Sequence, residues 1–282
     1  MNVILSQTLQ KAQSLDEFLD SYHFSKKQKH RLKMEKRIQV NERLCMHNIS
    51  LQKGDHIDID CEEEEKSTLE GYETEIEILY EDEIVLVVNK PIHMIIHGDE
   101  KTLDQAVSYY YQKTHQNHPV LHVHRLDRDT SGCILYCKNS FFLPYFDHAL
   151  KEKQIKRTYL AIVEGEITSS MTLNQKIGKD RHANRYRVSK TGMDAVTHVK
   201  PLRHNHHQTL IECELETGRT HQIRVHLSSI HHPLVGDELY GKKDSMRCAL
   251  HSHTLTFVHP ITLKKIQITS PMPQDMHACM KI

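Results

Sequence analysis

The chain has 282 residues, enough to bury a sizeable core in one or two domains. Its 37 lysines and arginines are balanced by 37 aspartates and glutamates, so any nucleic-acid affinity must come from local patches, not bulk charge. Seven cysteines without a CxxC pair, no apolar run of about 18 residues and no signal-type leader point away from a disulfide framework and a membrane span, and predict a cytoplasmic protein.

Ser14 and Glu17 form a capping box that opens a predicted helix, with Leu15, Phe18, Leu19 and Tyr22 at helical spacing. Ser25 opens a second predicted helix carrying Lys26, Lys27, Lys29, Arg31, Lys33, Lys36 and Arg37 against Glu35 alone. Short strands follow at Ile38 and Val40, and at the alternating Ile57 and Ile59. Such a run is often only a solvated face, but a basic helix beside a compact hairpin suits phosphate-directed binding, with Lys26, Lys27 and Arg31 as candidate contacts. The acidic stretch from Cys61 to Glu75, with EEEEKS in it, cannot build a core. It divides the chain into a module at 1–62, a linker at 63–75 and a main domain at 76–282.

The main domain opens with a buried strand, Ile84 to Val88, ended by Asn89, Lys90 and Pro91. Thr102 and Gln105 cap a helix whose Leu103, Ala106, Val107 and Tyr110 share a stripe. Next comes HRLDRDTSG, from His124 to Gly132, a charged turn between apolar segments. Arginines beside a carboxylate favour its ionised form, although this pattern alone is more often a structural ion-pair network. Cys133 to Cys137 reads as a buried strand, and Phe146 and Leu150 as a helix with Pro144 in its first turn. KRTYLAIVEG alternates as a strand carrying Tyr159, for which core packing is the ordinary expectation.

IGKDRHANRYRVS, residues 177–189, is rich in cations and lacks an apolar run. Ala195 to Leu202 and Gln208 to Leu215 form a hairpin around HNHH; with no HExxH motif or paired CxxC, no metal site is expected. In LETGRTHQIRVHL, the alternation of Ile223, Val225 and Leu227 predicts one buried face and one face turned to a site. No glycine-rich phosphate loop occurs, and the sheet is expected to be mixed, not built of repeated βαβ units.

HRLDRDTSG resembles, almost letter for letter, the signature of the RluA/RluD family of RNA pseudouridine synthases. Similar matches lie in IEILYEDEIVLVVNKP, in KRTYLAIVEG (with Arg157 where the family usually has lysine), in LETGRTHQIRVHL with HPLVGDELYG, and in RCALHSHTLTFVHP. The resemblance covers about residues 76 to 260, while QVNER and KGDHIDI resemble segments of an S4-like RNA-binding module. It implies an α+β fold, with a mixed, largely antiparallel central sheet, flanking helices and a small N-terminal S4-like module. The implied reaction is isomerisation of uridine to pseudouridine in structured RNA, by a monomer without a cofactor.

In that reading Asp127 is the catalytic carboxylate, Arg224 its partner, and Tyr159 packs on the target base. Arg125 fills the stack the base leaves, and Lys179, Arg181, Arg185 and Arg187 grip phosphates from a mobile loop. Arg128, Arg219 and His221 are further substrate contacts. Large-subunit ribosomal RNA is the expected target, with transfer RNA the alternative. A non-catalytic RNA-binding assembly factor would have no reason to carry Asp127, Tyr159 and Arg224 together.

Overall fold

The computed structural model describes residues 3–62, 67–181, 183–242 and 247–280. The amino-terminal module runs β1 (Ile4–Thr8), β2 (Gln13–Ser14), α1 (Leu15–Ser21), α2 (Lys26–Met34), β3 (Ile38–Val40), β4 (Arg43–Leu44), β5 (Ser50–Leu51) and β6 (His56–Asp60). Both helices start at capping boxes: the Glu17 amide donates to Ser14 Oγ and the Gln28 amide to Ser25 Oγ. Leu15, Phe18 and Leu19 turn inward with Leu32, against a sheet of order β1-β6-β3-β4 whose Ile57 and Ile59 alternate toward them.

The rest of the chain runs β7 (Glu77–Glu81), β8 (Val85–Lys90), α3 (Leu103–Lys113), β9 (Leu121–His122), β10 (Ser131–Cys137), α4 (Leu143–Lys151) and β11 (Lys156–Glu164). It continues through β12 (Met171–Leu173), β13 (Ile177–Lys179), β14 (Tyr186–Val188), β15 (Thr197–His204), β16 (Gln208–Leu215) and α5 (Gln222–Ser229). The last elements are β17 (Leu250–Val258), β18 (Lys265–Thr269) and α6 (Gln274–Ala278). Ten strands form the central sheet, ordered β12-β15-β16-β11-β17-β10-β8-β7, with β18 added on β17 and β9 on β10. β10 pairs with β17 in parallel and the other neighbours are antiparallel, which is the α+β fold with the mixed, largely antiparallel sheet expected from the sequence.

Every residue of β10 is buried because both faces of the sheet are covered. Cys133, Leu135 and Cys137 join Val85 and Val87 on one face, and Ile134 and Tyr136 join Leu86 and Val88 on the other. α3, through Leu103, Ala106 and Val107, and α5, through Ile223 and Leu227, cover the second face. The first is covered by Phe146 and Ala149 of α4 and by the amino-terminal module, in one continuous apolar cluster. Phe24 meets Phe141 and Phe142 edge-on at 5.9 and 6.2 Å, and Asn139 Nδ2 donates to the Cys61 carbonyl at 2.7 Å.

Three expectations are corrected. The acidic run is not a free tether over its described part: Ser108 Oγ donates to the Leu69 carbonyl and the Tyr72 amide to the Gln105 carbonyl, laying residues 67–75 along α3. Residues 63–66 of that run lie outside the described residues. QIRVHL is helical, not strand-like; all six residues are buried, so polar–apolar alternation there does not mark an exposed face. Residues 177–179 and 186–188 pair as a β13–β14 hairpin, from Ile177↔Val188 to Lys179↔Tyr186, so the expected loop narrows to the connection between them; His182 lies outside the described residues. No helix among the described residues is long and apolar enough to cross a membrane.

Candidate active site

The charged turn lies between β9 and β10. Val123, His124 and Leu126 are buried, whereas Arg125 and Arg128 are exposed and Asp127 is half-buried. Its backbone closes when the Thr130 amide donates to the Asp127 carbonyl at 3.1 Å. Lys90 braces it from below, giving its ammonium to the carbonyls of Pro91, Met94 and Arg128. Burial lowers the Lys90 pKa to about 7, against the pull of Asp129 and Asp127. Gly132 completes the bend: at φ +109 a Cβ would lie 2.2 Å from the Ser252 carbonyl oxygen, so only glycine lets β10 approach β17 here.

Arg224 projects from α5, only 6% exposed. Its Nε and Nη2 donate to Asp237 at 2.8 and 2.7 Å, while Nη1 lies 3.8 Å from Asp127 Oδ2. Asp237 also accepts the amides of Leu239 and Tyr240, and the Tyr240 ring lies 5.2 Å from the guanidinium carbon. Burial opposes the charge on Arg224, but hydrogen bonds and charge from Asp237 outweigh it, so its pKa is raised. Arg224 therefore reaches Asp127 while fixed by a bidentate fork to a different acid.

Asp127 stands in a cleft of about 1550 Å³, also lined by Arg125, Arg128, Tyr159, Arg219, His221 and Arg224. Tyr159 is 4% exposed, on the buried face of β11, and burial raises the pKa of its hydroxyl. His221 caps α5 in the left-handed region, φ 56, with Nδ1 bonded to Tyr240 Oη at 2.9 Å. Burial lowers its pKa against the opposing charge of Asp127. Asp129 is held by Arg128 and His93, whose hydrogen bonds outweigh burial and keep its carboxyl below the usual range.

The other candidate cations lie outside that lining. Lys179, Arg181, Arg185 and Arg187 are exposed on the hairpin, whose tip reaches the cleft at Asn184 and whose Tyr186 amide donates to Tyr240 Oη. Lys26 and Lys27 are exposed on α2, and Arg31 lies over the Phe141 ring. His204 Nδ1 of the HNHH turn lies 2.9 Å from Glu166, and no group of three His, Cys, Asp or Glu among the described residues could hold a metal. Sequence reasoning missed Asp237, Tyr240 and Lys90. The available signal was the acid of PLVGDELYG, set in a segment whose Leu234, Val235, Leu239 and Tyr240 favour burial, where a carboxylate needs a cation.

A family model described as RNA pseudouridylate synthase matches residues 84–229, and one described as the RluD ribosomal pseudouridine synthase N-terminal domain matches residues 2–57. The uncharacterized RNA pseudouridine synthase YhcT of Bacillus subtilis is 44% identical over 249 residues, which cover 85% of this chain and 82% of that protein. Ribosomal large subunit pseudouridine synthase D of Vibrio parahaemolyticus is 34% identical over 266 residues, 86% of this chain and 81% of that protein. Among solved structures, human RNA pseudouridylate synthase domain containing 1 matches with a TM-score of 0.63 and 26% identity, covering 74% of this chain and 89% of the human one. The chain thus belongs to the RluA/RluD-type family of RNA pseudouridine synthases and is an isomerase of that class.

Proposed function

We propose that the cleft converts a uridine of large-subunit ribosomal RNA to pseudouridine, with Asp127 as the catalytic carboxylate. The observation that carries this is the placing of Asp127 against Arg224 Nη1, at 3.8 Å, in a cleft that also holds Tyr159. A stacked base cannot reach such a carboxylate, so the nucleotide flips out at a cost of a few kcal/mol. Arg125, exposed two residues before Asp127, fills the vacated stack with a flat guanidinium. Asp127 assists cleavage of the bond from ribose to the uracil nitrogen, the uracil turns against Tyr159, carbon 5 joins the sugar and gives up its proton, and the freed nitrogen takes up one in exchange. Nothing is consumed, so the reaction requires no cofactor.

The surrounding acids support isomerisation over hydrolysis. Glycoside hydrolysis ordinarily uses two carboxyl groups, one of them free to donate a proton. Here Asp237 is held by Arg224, and Asp129 by Arg128 and His93. Of these three acids, Asp127 is the one left without a bidentate or two-partner clamp, beside Arg224 Nη1 in the cleft. Ribosomal RNA is favoured because the amino-terminal module matches the RluD ribosomal domain and several relatives are named for the large subunit. In this reading residues 1–62 place the RNA in the manner of an S4-like module, and the hairpin cations hold its backbone.

The test is Asp127→Asn with an unmodified large-subunit transcript in single-turnover assays. Product formation should fall by at least about a thousandfold, with RNA affinity kept within about threefold, because charge changes and shape does not. Substantial activity in the variant would overturn the assignment. Base-resolution mapping in cells with and without the gene identifies the uridine; a lost site in transfer RNA alone would move the target there.

A further inference from the structure

Two residues before Tyr159, on the same face of β11, stands Arg157, only 7% exposed and lining the cleft. Among the described residues its guanidinium has no hydrogen-bond or ion-pair partner, and its Nε is buried without one. The neighbouring His124 supplies no counter-charge: Nε2 accepts the Leu135 amide and Nδ1 is buried and unpartnered. Gly218 keeps space clear for the side chain, since a Cβ there would lie 3.0 Å from Arg157 Nη1. Arg224, equally buried, has its bidentate acid. An unpaired buried cation destabilises a free protein, so its retention points to an anion that arrives later.

We propose that Arg157 seats a backbone phosphate of the bound RNA, next to the uridine held against Tyr159. The planar fork of arginine matches two phosphate oxygens, and Lys151, the last residue of α4, lines the same cleft. Fixing the backbone beside a flipped nucleotide keeps the base from returning to its stack. Arg157 acts here as a substrate-positioning residue. The inference rests on the reading of the cleft as an RNA site.

The test compares wild-type enzyme with Arg157→Met and Arg157→Lys, using salt-dependent binding to an unmodified large-subunit transcript, single-turnover rates and melting of the RNA-free proteins. Arg157→Met should weaken binding about tenfold and flatten the slope of log affinity against log salt by roughly 0.7 to 0.9, the share of one phosphate. Its half-saturating RNA concentration should change more than its saturated rate, and it should melt no lower than wild type. Arg157→Lys should keep the slope and part of the affinity. A folded Arg157→Met enzyme with unchanged affinity and slope overturns the proposal. If that variant does not fold, Gly218→Ala decides, by weakening binding or leaving it unchanged. Pseudouridine formation by wild-type enzyme scores the function and the salt slope scores the clamp, so each reading can fail alone.

Discussion

Helix α2 and the β13–β14 hairpin are both dense in cations, yet the fold holds them differently. Lys29 meets Asp20 at 2.7 Å, Lys33 meets Asp16 at 2.5 Å and Arg37 meets Glu35 at 2.8 Å, with the basic side chains only 18%, 15% and 11% exposed. On the hairpin, Arg185 and Arg187 lie 3.5 and 3.9 Å from a shared Asp180 and are 48% and 57% exposed. Much of the first set ties α2 to α1 and helps close the module over the sheet. The second keeps its guanidiniums largely in solvent. How far a charge run is already matched by acids is thus set by the fold, here by α1 carboxylates 9 and 17 residues away in sequence.

The strongest way to break this comparison is to remove the module. If α2 belongs to the fold, deleting residues 1–66 uncovers Phe141 and Phe142, which pack against Phe24 and are now 1% and 0% exposed. Exposing two such rings costs about 3 to 6 kcal/mol, a large part of a typical stability of roughly 5 to 15. The truncated chain should aggregate or lose cooperative melting. A soluble, sharply melting and active fragment would show instead that the module is an appendage for RNA.

Within the cleft, Asp237→Ala should be nearly as severe. It leaves Arg224 buried with Asp127 alone, at 3.8 Å, and unpairing a buried charge typically costs about 3 to 5 kcal/mol. Melting should fall by roughly 6 to 15 °C, and the rate at saturating RNA should fall too, because Asp127 loses an oriented partner. Arg224→Ala with Asp237→Ala should melt higher than Asp237→Ala alone, since the orphaned cation is gone. If the double variant is no better than the single one, burial of charge is not the cause.

How much of this was legible from the sequence depends on range. Capping boxes at Ser14, Ser25 and Thr102 are encoded within three residues, and the helices begin there. β10 was legible as a continuous apolar run. α5 was not, because Ile223 and Leu227 lie four apart and share one core while Val225 enters another, so a helix buried all round shows the spacing of a strand. The Arg224–Asp237 fork and the packing of Phe24 on Phe141 are tertiary pairings that no local pattern states. The family resemblance gathered Asp127, Tyr159 and Arg224, and the structure adds what holds them in place.

A milder contrast comes from charge removal on the two basic segments. Arg185→Gln with Arg187→Gln should weaken RNA binding and lower the salt slope by roughly 1.4 to 1.8 for two phosphate contacts. Lys29→Gln with Lys33→Gln should leave that slope within error and reduce stability by about 1 kcal/mol or less, the usual yield of such surface pairs. Equal loss of slope from both pairs would erase the distinction between the segments.

The smallest effect lies on the seam between module and sheet. His23, in the turn after α1, stacks on His148 of α4 with centroids 3.6 Å apart and an interplanar angle of 24°. Burial and then the charge of His148 lower the His23 pKa, against a weaker opposing pull from Asp20, which already accepts a hydrogen bond from Lys29. A histidine whose pKa is lower folded than unfolded contributes stability that is complete above the unfolded value of about 6.5 and is lost as pH falls through the folded one. Acidification should therefore loosen the seam, by less than about 1 kcal/mol because the ring is partly exposed and screened. His23→Gln should melt slightly below wild type at pH 8 and close that gap by pH 5. Arginines keep their charge throughout this range, so hairpin contacts should give the same salt slope at pH 8 and pH 6 while the melting curves move. Parallel melting curves for variant and wild type would detach the histidine stack from the seam.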